Sequence, residues 1–109
     1  MKGLAIFALP FLALMSSFAA ADGSAPAGDI NTIYFYEGHT GVLIQHSFMS
    51  DPDKCGRQDF YILPDTHSHF KEVYALLLAA QTAGKKVSFT LSGCHQGIPA
   101  IRNVAIARQ

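Results

Sequence analysis

Apolar side chains lie along this chain in short runs separated by polar, glycine-containing breaks, and the spacing inside each run predicts its conformation. Ile33-Tyr34-Phe35-Tyr36 is aromatic and β-branched, and Val42-Leu43-Ile44, ahead of Gln45-His46, is aliphatic with two β-branched residues. Residues of this kind favour the pleated surface of a strand. The break between the two runs, Glu37-Gly38-His39-Thr40-Gly41, is short and holds two glycines, so the pair reads as a β-hairpin. A polar loop with Ser50-Asp51-Pro52-Asp53-Lys54-Cys55-Gly56 follows. Asp59-Phe60-Tyr61-Ile62-Leu63 is then a third strand, stopped by Pro64.

Beyond Pro64 the period lengthens. Phe70, Val73, Tyr74, Leu77, Leu78 and Gln81 recur at three and four residues with alanines between them, which predicts a helix with one apolar face. Asp65 or Thr66 is placed to cap its start, and Gly84 to end it in the left-handed conformation. Glu72 near the start and Lys85-Lys86 near the end suit the helix dipole. Lys86 to Ser92 then alternates, with Val87, Phe89 and Leu91 expected inward and Ser88, Thr90 and Ser92 outward. Gly93 to Gly97 reads as a loop and Ala100 to Ile106 as the last strand, with Val104 and Ile106 toward the core.

The first segment behaves differently. Met1-Lys2 carries one positive charge, Gly3 to Met15 is apolar apart from the interruption at Pro10, and Ser16 to Ala21 is mostly small. This is the layout of a secretory signal peptide over residues 1–21, with Ala19-x-Ala21 as the cleavage site. The run is too short for a stable membrane span, which needs about 20 apolar residues. Half of the 109 residues are apolar, but residues 1–21 hold 16 of the 54, so the greasy average belongs partly to this leader. The remaining 88 residues have the size of one domain. Residues 22–29 (Asp-Gly-Ser-Ala-Pro-Ala-Gly-Asp) read as a flexible lead-in, and 30–109 as the single folded domain.

Export places the protein in the periplasm or outside the cell, where two cysteines most simply join. Cys55 and Cys94 enclose about 40 residues, and closing such a loop stabilises a small fold by about 4 kcal/mol on a chain-entropy argument. The element order, strand-strand-strand-helix-strand-strand, is that of the five-stranded OB-fold barrel, in which the helix joins the third and fourth strands. In that barrel the third and fifth strands run side by side and parallel, and the two cysteines precede them by a few residues. The open three-plus-two α+β sandwich is the alternative architecture.

Charge and motifs narrow the chemistry. Eight basic and eight acidic residues balance, and loss of Lys2 with the leader leaves a net charge of −1, which disfavours nucleic acid as a partner. Five histidines raise a metal-assisted enzyme through His67, His69 and His95. Residues two apart on a helix point to different sides, so His67 and His69 could both ligate only with His67 in the non-helical cap, and no metal and no cofactor is expected. No G-x-S-x-G, free thiol or glycine-rich phosphate loop occurs, and Asp51 and Asp53 lie in a turn-like loop rather than as a catalytic pair. The chain therefore reads as non-enzymatic. Ligands of OB barrels meet the second and third strands and the loops joining strands 1–2 and 4–5. That placement selects Tyr34, Tyr36 and Tyr61 as ring faces and His39, Thr40, His95 and Gln96 as hydrogen-bonding side chains.

Leu76-Leu77-Leu78-Ala79-Ala80-Gln81-Thr82-Ala83-Gly84-Lys85-Lys86-Val87-Ser88-Phe89, then Gly93-Cys94 and Pro99 to Ile106, resemble the helix and last two strands of small secreted bacterial proteins. Those proteins are similar to the receptor-binding B subunits of subtilase cytotoxin and pertussis-like toxins. The resemblance covers about 45 residues and implies an OB barrel with a disulfide, a pentamer and a sialylated glycan ligand. No glycan-contacting residue is carried over by it. The expected function is an exported carbohydrate- or glycoconjugate-binding module; the alternative is a periplasmic protein-binding or inhibitor domain.

Overall fold

A computed structural model describes residues 23–106; the expected signal peptide lies outside the described residues. Within them the elements are β1 (Gly23–Gly28), β2 (Ile30–Phe35), β3 (Gly41–His46), β4 (Tyr61–Pro64), α1 (Phe70–Ala83), β5 (Val87–His95) and β6 (Ile98–Ala105). The strands form one sheet in the order β1-β5-β6-β4-β3-β2. All pairs are antiparallel except β4 with β6, which are parallel and set Ile62 opposite Ala100. The domain is a small β-rich fold with one helix and one disulfide, and it has six strands rather than the expected five.

The sixth strand is the segment expected to be a flexible lead-in. Gly23 pairs with Leu91, Ser24 with Thr90 and Ala25 with Phe89, and Ala25 is 2 % exposed. Small residues let this backbone lie close against β5. Pro26 falls where the register shifts between Ala25 and Gly28, a bulge in which its missing N–H breaks no ladder bond. Composition signals a loop here, but the unpaired edge of β5 supplies partners that composition cannot anticipate. Asp29 alone separates β1 from β2. Its amide donates to Ser47 Oγ at 2.9 Å, its carbonyl accepts from the Ser47 amide at 3.1 Å, and its carboxylate meets Lys86 Nζ at 3.1 Å.

The hairpin forms as expected, while the third predicted strand begins two residues later, at Tyr61, and takes in Pro64, which pairs with Gly41 instead of stopping it. Both β3 and β4 are buried on both faces. Val42, Ile44, Tyr61 and Leu63 join Leu77, Val87, Phe89, Leu91 and Ile101 in the main core, while Leu43 and Ile62 join Ile98 and Ala100 in a second cluster with Phe60 against it. Gly41 opens β3 because a Cβ there would collide with the Leu63 carbonyl. The helix buries Leu77 and Ala80 and rests Phe70, Val73 and Tyr74 on the main core. It ends as predicted, with Gly84 left-handed at φ 67° and its amide bonded to Gln81 O. Its start is three or four residues later than expected. Asp65 and Thr66 belong to turns before it, His69 occupies the cap position without a side-chain bond, and His67 is tied across to Arg102 O at 2.8 Å.

Val87, Phe89 and Leu91 face the core as the alternation requires. The expected Gly93–Gly97 loop shrinks to a tight turn at Gln96-Gly97, both residues having positive φ (52° and 77°), the geometry that suits a twisted hairpin. In β6 the prediction for Ile106 is corrected. Ile106 lies beyond the strand and is 36 % exposed, while Ile101 is buried and Val104 packs on the core. Leu91 pairs with Ile101 and Thr90 with Asn103, so Arg102 bulges out and lets two residues three apart face the same side. Cys55 and Cys94 are bonded, with their Cα atoms 5.7 Å apart, as expected. Asp51 accepts from the amides of Cys55 and Gly56 at 2.6 and 2.8 Å, and Asp53 from that of Gly93 at 2.6 Å.

Candidate functional site

Along β2, Tyr34 stands opposite Leu43 of β3, and Tyr36 follows two residues on, on the same side of the extended chain. Both are exposed, at 43 % and 50 %. Phe60, which enters β4, stacks on Tyr34 with ring centres 6.0 Å apart. Tyr36 lies 5.9 Å from Tyr34 and 5.3 Å from the His39 imidazole. Arg57 places its guanidinium 5.8 Å from the centre of the Phe60 ring. Together Tyr34, Tyr36, His39, Leu43, Arg57 and Phe60 line a groove of about 240 Å³.

The groove carries no net charge from its one cation. Arg57 Nε and Nη2 grip the two oxygens of Asp59 at 2.5 and 2.6 Å, the bidentate fork that guanidinium and carboxylate geometry favours. This hydrogen bonding holds the Asp59 carboxyl below its ordinary range and raises Arg57 further. His39 brings one unanswered polar atom. Its Nδ1 is buried without a hydrogen-bond partner, a condition that costs about 1–3 kcal/mol.

Beside the groove, the β2–β3 turn is bound to the β5–β6 turn. His95 Nε2 lies 2.7 Å from Thr40 Oγ1 and 3.1 Å from Thr40 O. The carbonyl can only accept, so the imidazole carries its proton on Nε2 and donates to both. The Thr40 amide donates to Gln96 Oε1 at 2.7 Å and the Thr40 hydroxyl to the same oxygen at 3.3 Å, while Gln96 Nε2 reaches Gly38 O at 3.4 Å. Every polar atom named here has a partner inside the protein. The disulfide continues this bracing, since Cys55 belongs to the loop that carries Arg57 and Cys94 lies next to His95.

Of the residues selected from sequence, Tyr34, Tyr36 and His39 come together in the groove. Thr40, His95 and Gln96 stand next to it and hold its rim, with their hydrogen-bonding groups taken up by one another. Tyr61 leaves the set: it is fully buried, donates its hydroxyl to Phe48 O at 2.5 Å and accepts from the Ser50 amide at 3.0 Å. Sequence reasoning missed Phe60, Arg57 and Leu43. The signal for Phe60 was available, because side chains two apart on a strand share a face. Phe60 therefore goes with Ile62 and across to Leu43 and Tyr34, whereas Tyr61 goes with Leu63 into the core.

A second, more polar cavity of about 390 Å³ lies where Thr66, His67, Ser68 and His69 approach Arg102 and Asn103. His67 accepts from the His69 amide through Nδ1 at 2.9 Å and meets Arg102 O through Nε2, so both its nitrogens are engaged and neither is open to a metal. Among the described residues no group of three or more His, Cys, Asp or Glu side chains is arranged to hold a metal ion. No helix among them is long and apolar enough to cross a membrane. Compared with known proteins, the chain matches no family model, no curated protein and no solved structure.

Proposed function

We propose that this protein is an exported, non-enzymatic module that binds a carbohydrate or a surface glycoconjugate through the groove between Tyr34, Tyr36 and Phe60. The observation that carries the reading is a set of exposed ring faces beside a cation already neutralised by its neighbour. Sites for small ligands are mostly apolar with a few placed polar groups, and a sugar ring has an apolar C–H face for the aromatics and hydroxyls for the His39 imidazole that lines the groove. The disulfide suits an oxidising compartment and supports export.

The finer fold reading is an OB-type barrel. Strands in a sheet lie about 4.8 Å apart, so the outer members of a flat six-stranded sheet would be separated by more than 20 Å. Here those outer strands, β1 and β2, are joined through Asp29 alone. A sheet whose edges are consecutive pieces of one bent segment has to curl, and counting β1 and β2 as one bent strand restores the five-strand order. The groove then lies on the face between the 1–2 and 4–5 loops where OB barrels meet oligosaccharides.

Screening the purified protein on a glycan array tests the function. Binding that is lost in Tyr34→Ala supports it, and a blank array with protein shown folded by circular dichroism overturns it. The toxin-like assembly predicts a pentamer by light scattering, and a monomer would remove that part of the reading. A second reading, a protein-binding domain, draws on Phe35, which is 61 % exposed and packs edge-on to Tyr74 near half-covered Leu78. Phe35→Ser abolishing capture of a defined periplasmic partner, with the array blank, would favour it.

A further inference from the structure

We propose that the groove takes a single neutral pyranose ring and that His39 orients it through a hydrogen bond at Nδ1, an inference that rests on the saccharide-binding reading above. Size comes first. At about 240 Å³ the groove falls below the range of about 300–1,000 Å³ typical of drug-sized sites, so it suits one ring rather than a chain of them. Charge comes next. Asp59, both of whose oxygens Arg57 holds, already compensates the Arg57 charge, so an acidic sugar would bring a second negative charge beside that carboxylate, whereas a neutral ring leaves the balance intact.

His39 supplies the orientation. Among the described residues, its Nδ1 is the buried side-chain nitrogen or oxygen that lacks a partner, and its ring lines the groove. The backbone around it is fixed on both sides: the His39 amide donates to Tyr36 O at 2.9 Å, and the Thr40 amide to Gln96 at 2.7 Å. Rotation about χ2 of an imidazole is broad and roughly two-fold, so a half-turn exchanges Nδ1 with a ring carbon without moving that backbone. A ligand hydroxyl would then meet a nitrogen that gives up no hydrogen bond within the protein. The aromatic faces hold the ring, and His39 decides which of its hydroxyls points inward.

The test is a two-dimensional ¹H–¹⁵N NMR titration of the purified, disulfide-bonded protein. The probes are the methyl glycosides of glucose, galactose and mannose, each alongside its uronic acid counterpart. At least one neutral glycoside is expected to shift Tyr34, Tyr36 and His39 and to bind about tenfold tighter than its uronate. His39→Ala should weaken that binding by about tenfold, and His39→Gln, which keeps a hydrogen-bonding amide, should recover part of it. Unchanged resonances outside the turn establish that each variant is folded. A uronate that binds as tightly as the neutral sugar, or a His39→Ala protein that binds like the parent, overturns this inference while leaving saccharide binding in place. No shift with any of the probes overturns it, and a blank glycan array as well takes the parent reading with it.

Discussion

Individual residues reveal where the fold accepts a local penalty for a longer-range contact. Gln96 adopts a left-handed φ of 52°, which costs a side-chain-bearing residue about 1–2 kcal/mol, yet it is not glycine or asparagine. Its amide explains the choice, because it ties Gly38 to the β5–β6 turn and joins His95 in holding Thr40 there. Gln96→Ala should lower stability by about 1–2 kcal/mol through the lost hydrogen bonds. Gln96→Gly loses the same bonds but frees the backbone, and should be about 1 kcal/mol less damaging. Equal midpoints for the two variants in urea would show that no backbone penalty is present. Tyr61 makes the opposite case. Removing its hydroxyl in Tyr61→Phe leaves the Phe48 carbonyl and Ser50 amide without their partner and should cost about 1–3 kcal/mol, with sugar binding unchanged because the ring lies outside the groove. Asp59 adds a dependence on pH. Its folded pKa is lowered, chiefly by the hydrogen bonds from Arg57, so its stabilisation is present above the ordinary carboxylate pKa of about 3.9 and is lost as pH falls through the lower folded value. Both partners are partly exposed, which limits the effect to about 1 kcal/mol or less. Asp59→Asn should flatten that part of the acid stability profile, and an unaltered profile would show that the pair does not contribute.

At the scale of elements, what the sequence made legible follows from which forces are local. The helix and β5 declare themselves by period, since a face that recurs at three and four residues, or every second residue, is dictated by burial against one neighbour. The left-handed stop at Gly84 was legible because only glycine takes that conformation at little cost. The assignments that changed depend on partners distant in sequence. β1 carries little strand propensity, and it is ordered by an edge of β5 about sixty or more residues away. Ile106 and Val104 were paired by simple alternation, but the bulge at Arg102 resets the parity. In the candidate site, Tyr34 and Tyr36 were readable as exposed aromatics near a turn, while Phe60 and Tyr61 could be told apart only by carrying the alternation across the hairpin register. The β1 assignment has a direct test. Ala25→Asp places an unpaired carboxylate where Ala25 is 2 % exposed, a burial that costs several kcal/mol unless the strand detaches. Hydrogen exchange should then accelerate in β5 from Phe89 to Leu91, the residues paired with β1, far more than in the β3–β4 ladder. Uniform acceleration would mean that β1 is not a separable edge.

Over the whole molecule, the disulfide joins the two requirements of stability and site geometry. The folded part is short, and a chain of this length buries only about 60–70 % of the surface it exposes when unfolded, so its net stability is a small difference between large terms. The Cys55–Cys94 link spans 39 residues and on the chain-entropy model stabilises the fold by about 4 kcal/mol. Its position matters as much as its loop length. It fastens the segment bearing Arg57, Asp59 and Phe60 to the end of β5, which in turn holds the Thr40 turn through His95 and Gln96. Replacing both cysteines by alanine should therefore lower the melting temperature by about 15–30 °C, taking about 4–8 °C per kcal/mol for a domain of this size. Below the new midpoint the strands and helix persist, but the wall of the groove that carries Phe60 loses its tether. Circular dichroism at 10 °C should accordingly look native while affinity for the best sugar probe falls. Loss of affinity with retained secondary structure is the signature of a site braced by the disulfide. Affinity that survives until the strands melt would show that the hydrogen-bonded turns hold the groove by themselves.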